Sequence, residues 1–214
     1  MPEEQGGGRG MEKKIITISR EYGSGGRQIG LAAAKKLGME FYDKELIDAA
    51  AKEIGFPAEI IADRDQRLTN SLLYSLAMGT LYGLSYPKEP KLSELPLTEQ
   101  IYVAQKKAIE EAAKRGSCVF IGRCADYILR SRPDVLRVFI YADRDIRLRR
   151  AIDEYGDLEE HIDEFMHQTD KRRRIYYENY TNQRWGDREN YDLMLNSGDL
   201  GIEKCVELIC QAVK

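Results

Sequence analysis

Ile15, Ile16, Thr17 and Ile18 form a short β-branched run that gives way to Ser-Arg-Glu-Tyr and a cluster of glycines, the pattern of a buried strand feeding a loop. Ile29 to Leu37 follows, rich in Ala and Lys and interrupted only by Gly30, with Gly38 as a C-terminal stop before Met39-Glu40-Phe41-Tyr42. This predicts a helix and then a second strand. A helical run starts at Lys44, and a longer one spans Thr98 to Lys114 behind Pro96, closed by Arg115-Gly116. Cys118 to Ile121 and Leu136 to Tyr141 read as further buried strands, and Tyr191 to Leu195 as the last. Asp143 can cap a helix running toward Tyr155, Asp157 to about Tyr180 reads as a polar helix, and an amphipathic helix starts at Gly201. Strands alternating with helices predict an α/β protein, a five-stranded parallel sheet covered on both faces in three α/β/α layers.

Two stretches fall outside that alternation. Residues 1–12 are polar and Gly-rich, with nothing to pack, and are expected to be a disordered tail; Met11 is a second candidate start. Residues 55–97 carry four prolines and scattered aromatics, among them Tyr74, Tyr82 and Tyr86, and are read as a helical insertion beside a site. The remainder, 13–214, is expected to fold as a single domain, since a chain of this length can bury roughly 70% of its unfolded surface around one core.

Composition narrows the function. Lys plus Arg number 33 against 36 Asp plus Glu, a net charge of −3, which argues against sequence-independent nucleic-acid binding. No apolar run approaches the ~20 residues that cross a bilayer, so no membrane association is expected and a cytoplasmic protein is. Cys118, Cys124, Cys205 and Cys210 form no C-x-x-C pair and the two histidines, His161 and His167, complete no metal constellation; free thiols are expected and zinc is not.

The candidate chemistry lies in Gly23-Ser24-Gly25-Gly26-Arg27-Gln28-Ile29, between the first strand and the first helix. A helix N-terminus presents unpaired N–H groups and about half a positive charge, and glycines let the backbone curl around an anion. Phosphate is the natural ligand, with Arg27 adding a permanent cation. Against the pattern G-x-x-x-x-G-K-[ST] the loop has Glu21 at the first glycine, Arg27 at the lysine and Gln28 at the Ser/Thr position. A dinucleotide loop and a plain strand-to-helix turn are the alternatives; the glycine spacing disfavours the first.

Further motifs follow in order: Ile18-Ser19-Arg20-Glu21-Tyr22 ahead of the glycines, Phe41-Tyr42-Asp43-Lys44-Glu45-Leu46, Ile121-Gly122-Arg123-Cys124-Ala125-Asp126, Asp170-Lys171-Arg172-Arg173, and Tyr191-Asp192-Leu193-Met194-Leu195-Asn196. With these the chain resembles the cytidylate kinase-like family over nearly all of Lys14 to Lys214. The resemblance implies a P-loop NTPase fold, ATP as phosphoryl donor with Mg2+, and a nucleoside monophosphate acceptor, CMP or dCMP first. Two departures stand out. Cytidylate kinases carry Lys where this chain has Arg27, and their G-R-D motif reads Gly122-Arg123-Cys124 here.

The resemblance also distributes roles. Gly23, Ser24, Gly25, Gly26, Arg27, Gln28 and Ile29 would bind ATP. Lys171 and Arg173, in a lid over 157–190, would join Arg27 in stabilising the transferring group, with Arg184 a weaker candidate. Asp43, Arg123 and Asp126 would hold the acceptor. Each has a plainer reading: Asp43 as the cap of the helix at Lys44, Arg123 in a surface ion pair, and the basic run as a solvated helix face. No metal ligand is assigned; Ser24 is the nearest hydroxyl. A kinase for a non-nucleotide metabolite and a nucleotide-binding regulator without turnover are the other functions the sequence allows.

Overall fold

The computed structural model describes residues 14–53, 55, 95–156 and 160–213; the predicted tail and nearly all of the predicted insertion lie outside them. The chain divides into two compact units, Met1–Phe41 with Gly116–Lys214, and Tyr42–Arg115.

The larger unit is built on strands β1 (Ile15–Arg20), β2 (Glu40–Tyr42), β3 (Cys118–Ile121), β4 (Val135–Tyr141) and β5 (Leu193–Asn196), which form one parallel sheet in the order β2-β3-β1-β4-β5. The register pairs Ile15 with Cys118 on one side and with Val135 on the other, and Val138 of β4 with Leu193 of β5. Strand β1 is therefore central, and the order reverses around it. In open parallel sheets such a reversal leaves a crevice at the carboxyl ends of the strands.

Alternation decides which residues face the core. Ile16 and Ile18, Val119 and Ile121, and Leu136, Val138 and Ile140 point to one face of the sheet. They meet Ile29, Ala33 and Ala34 of α1 (Gly26–Leu37) and Cys205, Ile209 and Cys210 at the C-terminal end of the chain. Each fully buried isoleucine contributes about 1.5–3 kcal/mol. The opposite face of β4 turns Phe139 onto Trp185 and Tyr191, with ring centroids 5.3 and 5.0 Å away.

The smaller unit holds α2 (Lys44–Glu53) and α3 (Leu97–Arg115), which pack together. A polar contact between them is Gln105 Nε2 donating to Asp48 Oδ1 at 2.7 Å.

Several predicted boundaries move. A short helix α4 (Ala125–Ile128), not foreseen, follows β3 after three residues with positive φ, Gly122, Arg123 and Cys124. Asp143 does precede α5 (Arg144–Asp153), but its side chain makes no capping hydrogen bond. The polar helix α6 spans Ile162–Thr181, starting later than Asp157 because His161 sits at φ 65°, outside helical geometry. The last strand starts at Leu193 rather than Tyr191: the Asp192 carboxylate takes the Arg137 N–H at 2.9 Å while the Asp192 N–H donates to the Arg137 carbonyl at 2.8 Å, and the strand register runs from Val138 and Leu193 onward.

Helix α7 spans Ser197–Ala212, starting one turn ahead of the predicted Gly201. Gly201 itself is not helical, at φ 75°, ψ 162°, a conformation open essentially to glycine alone. A first turn at Ser197 is thus separated from the core-facing length of the helix.

Candidate active site

The loop Glu21–Gly25 leaves the carboxyl end of β1, and α1 begins at Gly26. Gly23 and Gly25 take left-handed φ values of 74° and 75°. At Gly23 there is also no room for a side chain: a Cβ would lie 2.5 Å from the Arg147 carbonyl oxygen. Helix α5 therefore passes directly against the loop. The start of α1 leaves its first N–H groups without helical partners, and Arg27 and Gln28 at this end are exposed. Ile29 behaves differently, with its side chain in the core and its N–H donated to the Gly25 carbonyl at 2.9 Å.

An acidic residue at the first position of a phosphate loop needs an explanation. The Glu21 carboxylate accepts the Ala142 N–H at 3.3 Å and lies 3.6 Å from Arg147 Nε. Burial pushes its carboxyl above the ordinary range, while Arg147 pulls it back. Its charge is thereby directed onto Arg147 and the end of β4.

Arg173 and its neighbours form the second layer. Arg173 Nη1 donates to the Arg20 carbonyl at 3.2 Å and to Asp170 Oδ1 at 3.1 Å, and its guanidinium lies 5.6 Å from the Tyr22 ring centroid. Asp170 is a hub: Oδ1 also accepts the Tyr22 N–H at 2.8 Å, and Oδ2 accepts from Arg147 Nη1 at 2.7 Å. Loop, α5 and α6 thus meet at one carboxylate. Lys171, by contrast, is exposed on α6, and so is Arg184 beyond it.

Past β3, Arg123 stands at φ 56° with its guanidinium 5.4 Å from the Tyr176 ring centroid. A Cβ at Gly122 would run into the Arg20 guanidinium, so the β1 and β3 ends touch here. Cys124 is 2% exposed, and burial pushes its thiol up, which keeps it neutral.

Asp126 is 3% exposed, and its Oδ2 accepts from the Tyr177 hydroxyl at 2.7 Å. Asp43 accepts the Leu46 N–H on Oδ1 at 3.2 Å, so it does cap α2; it belongs to the other unit.

Burial pushes the Asp126 carboxyl up to about 6 from its ordinary 3.8, against the opposing pulls of Tyr177, the Asp126 and Tyr127 N–H groups and Arg137. Tyr177 has one proton for two acceptors, Asp126 Oδ2 and, at 3.2 Å, Gln183 Oε1. Protonating Asp126 supplies the second. The folded state therefore prefers the neutral acid, giving stability that is complete below about pH 4 and lost as pH rises through about 6. Asp126→Asn, whose amide can donate to Tyr177, should flatten this dependence and be more stable than the native chain at pH 7 by about 2–3 kcal/mol. Urea unfolding at pH 4 and pH 7 checks it; a native chain equally stable at both would rule out the shifted acid.

The fit to magnesium is poor. Among the described residues no group of three or more His, Cys, Asp or Glu side chains could hold a metal. Ser24 Oγ donates to the Glu21 carbonyl at 2.8 Å, and the residue is fully buried. Gln28 stands where a Ser/Thr ligand would be.

Sequence reasoning gave no site role to Ser197, read Arg147 and Arg150 only as part of a basic helix face, and counted Asp170 only as the first residue of a motif. Three-residue spacing puts Arg147 and Arg150 on one face of a helix that starts at the carboxyl edge of the sheet, which was the available signal. Among the described residues, no helix is long and apolar enough to cross a membrane.

Solved structures similar to this chain in fold include an uncharacterized protein from Eubacterium ventriosum ATCC 27560, 25% identical with a TM-score of 0.70, covering 94% of this chain and 98% of that one. Shikimate kinase from Acinetobacter baumannii in complex with shikimate is 14% identical with a TM-score of 0.50, covering 94% and 93%. A gluconokinase from Sinorhizobium meliloti 1021 is 14% identical with a TM-score of 0.50, covering 96% and 93%. The last two show the fold, that of P-loop kinases, and nothing more. No curated protein matches the chain. The cytidylate kinase-like family matches residues 15–199, which take in the glycine loop, the β3 end and the whole of α6, and the chain belongs to that family.

Proposed function

We propose that this chain is a phosphotransferase that moves the terminal phosphoryl group of ATP to a nucleoside monophosphate, CMP or dCMP being the first acceptors to try. The observation that carries the reading is the loop at the β1 end, with left-handed glycines, a helix start, and Arg27 exposed beside it. Phosphoryl transfer asks the protein for positioning and for cations around the migrating group rather than for covalent chemistry. Arg27 would supply one cation, and Arg123 at the neighbouring strand end would hold an acceptor phosphate. Magnesium, expected of the reaction class, would depend chiefly on phosphate oxygens, since Ser24 Oγ is engaged with the Glu21 carbonyl and Gln28 replaces the usual hydroxyl.

A second acceptor class has one observation in its favour. Where cytidylate kinases carry an acid after the arginine, this chain has Cys124, buried and held neutral, so no carboxylate at that position reads a base or sugar. A small hydroxylated metabolite is the alternative acceptor.

A coupled assay with ATP, magnesium and a panel of CMP, dCMP, UMP, AMP, GMP, shikimate and gluconate separates the two. Turnover confined to the pyrimidine monophosphates supports the first reading, and turnover confined to the metabolites the second. ATP binding without turnover on any acceptor would overturn both in favour of a regulator. Arg123→Ala should raise the acceptor KM by roughly 10–100-fold, the loss of a charge-assisted phosphate contact, and leave the ATP KM unchanged. A rise in the ATP KM instead would reassign Arg123 to the donor side.

A further inference from the structure

A trans peptide holds its C=O and the following N–H pointing in opposite directions. Whatever grips a loop carbonyl from behind therefore aims the next amide forward. Three consecutive carbonyls of the glycine loop are gripped in this way. Tyr22 O accepts from Arg147 Nη1 at 3.2 Å, Gly23 O from Arg150 Nη1 at 2.9 Å, and Ser24 O from Ser197 Oγ at 2.6 Å. Arg150 Nη1 also reaches Ser197 Oγ at 3.3 Å, so cation and hydroxyl brace one another. Both are withdrawn from solvent: the Arg150 side chain is 9% exposed and Ser197 1%.

We propose that Ser197 and Arg150 are positioning residues of the phosphate loop. They keep the Ser24 and Gly23 carbonyls behind the loop, where their negative ends cannot oppose an anion, and so leave the first amides of α1 for phosphate oxygens; the Ser24 N–H is not among the free donors, since it turns back to the Glu21 carbonyl at 3.4 Å. Arg150 reaches the loop from α5 and Ser197 from the first turn of α7, and neither touches the phosphates. The inference rests on the reading that the loop binds phosphate.

The test uses the full chain and two probes, ATP and inorganic tripolyphosphate, with affinities measured by calorimetry. Ser197→Ala should weaken both by about tenfold, while Ser197→Thr, which keeps the hydroxyl, should stay within about threefold of the native affinity. Arg150→Gln gives an independent measure should Ser197→Ala fold poorly, and should weaken both probes in the same way. In the coupled assay the ATP KM should rise and the acceptor KM should not, a split that a general loss of structure would not produce. Native affinity for both probes in folded Ser197→Ala and Arg150→Gln would overturn the positioning role and leave the phosphate reading intact. A native chain that binds neither probe would overturn the phosphate reading and this inference with it.

Discussion

Arg27→Ala should lower kcat/KM for phosphoryl transfer by roughly 10²–10³, the usual consequence of removing a cation aimed at charge that develops in the transition state. Affinity for ATP should fall by at least about tenfold, since a hydrogen bond to a charged group is worth about 1.5–3 kcal/mol. Folding should hardly change. Arg27 is exposed at the start of α1, and its guanidinium sits 5.8 Å from the Phe41 ring centroid, a contact worth about 0.5–1 kcal/mol at an exposed site. Arg27→Lys should fall between the two, because it keeps the charge and loses the planar fork. Calorimetry with ATP and a thermal melt on the same three proteins decide the matter. Native ATP affinity in Arg27→Ala would remove the residue from phosphate binding.

Gly23→Ala carries the largest expected loss of stability. The new Cβ would lie 2.5 Å from the Arg147 carbonyl oxygen and 2.9 Å from the Arg147 Cβ, on a backbone at φ 74°. Left-handed backbone costs an L-residue about 1–2 kcal/mol, and overpacking adds about 1–3 kcal/mol. Together they should destabilise the chain by about 2–5 kcal/mol, a fall in Tm of roughly 5–15 °C at this length. Gly38→Ala separates the two terms. Gly38 is also left-handed, at φ 67°, but a Cβ there meets nothing within 4 Å, so only the backbone cost of about 1 kcal/mol remains. Equal melting temperatures for the two variants would mean that α5 does not press on the loop as closely as described.

The sheet was legible because its strands are short apolar runs flanked by breakers, with β-branched residues in β1, β3 and β4. Cys118–Ile121 was read to the residue, and the order of elements followed from alternation alone. What escaped depends on single backbone angles or on long-range pairing. The left-handed Cys124 that opens α4, the His161 that delays α6, and the Asp192 carboxylate that takes over the start of β5 have no periodic signature. In the site, Arg27 and the glycines announce themselves by local spacing. Asp170 does not, since its partners, Tyr22 and Arg147, lie 148 and 23 residues away in the chain. The basic run was noticed for its charge, yet its four cations divide by environment. Arg173 is folded onto the Arg20 carbonyl and Asp170, while Lys171, Arg172 and Arg174 face solvent. Charge is visible in a sequence, and the carboxylate that claims it is not.

Gly201 gives the end of the chain two independently adjustable parts. A continuous helix would lock the azimuth of Ser197 to that of Ile209, so that any residue altered beneath one would rotate the other. With the helix interrupted at φ 75°, ψ 162°, the turn that begins at Ser197 can follow the glycine loop while residues 202–212 follow α1. Repacking around Cys205 and Ile209 could then drift freely over evolutionary time without loosening the hydroxyl that holds Ser24, and the loop would tolerate a core that is not the one it started with.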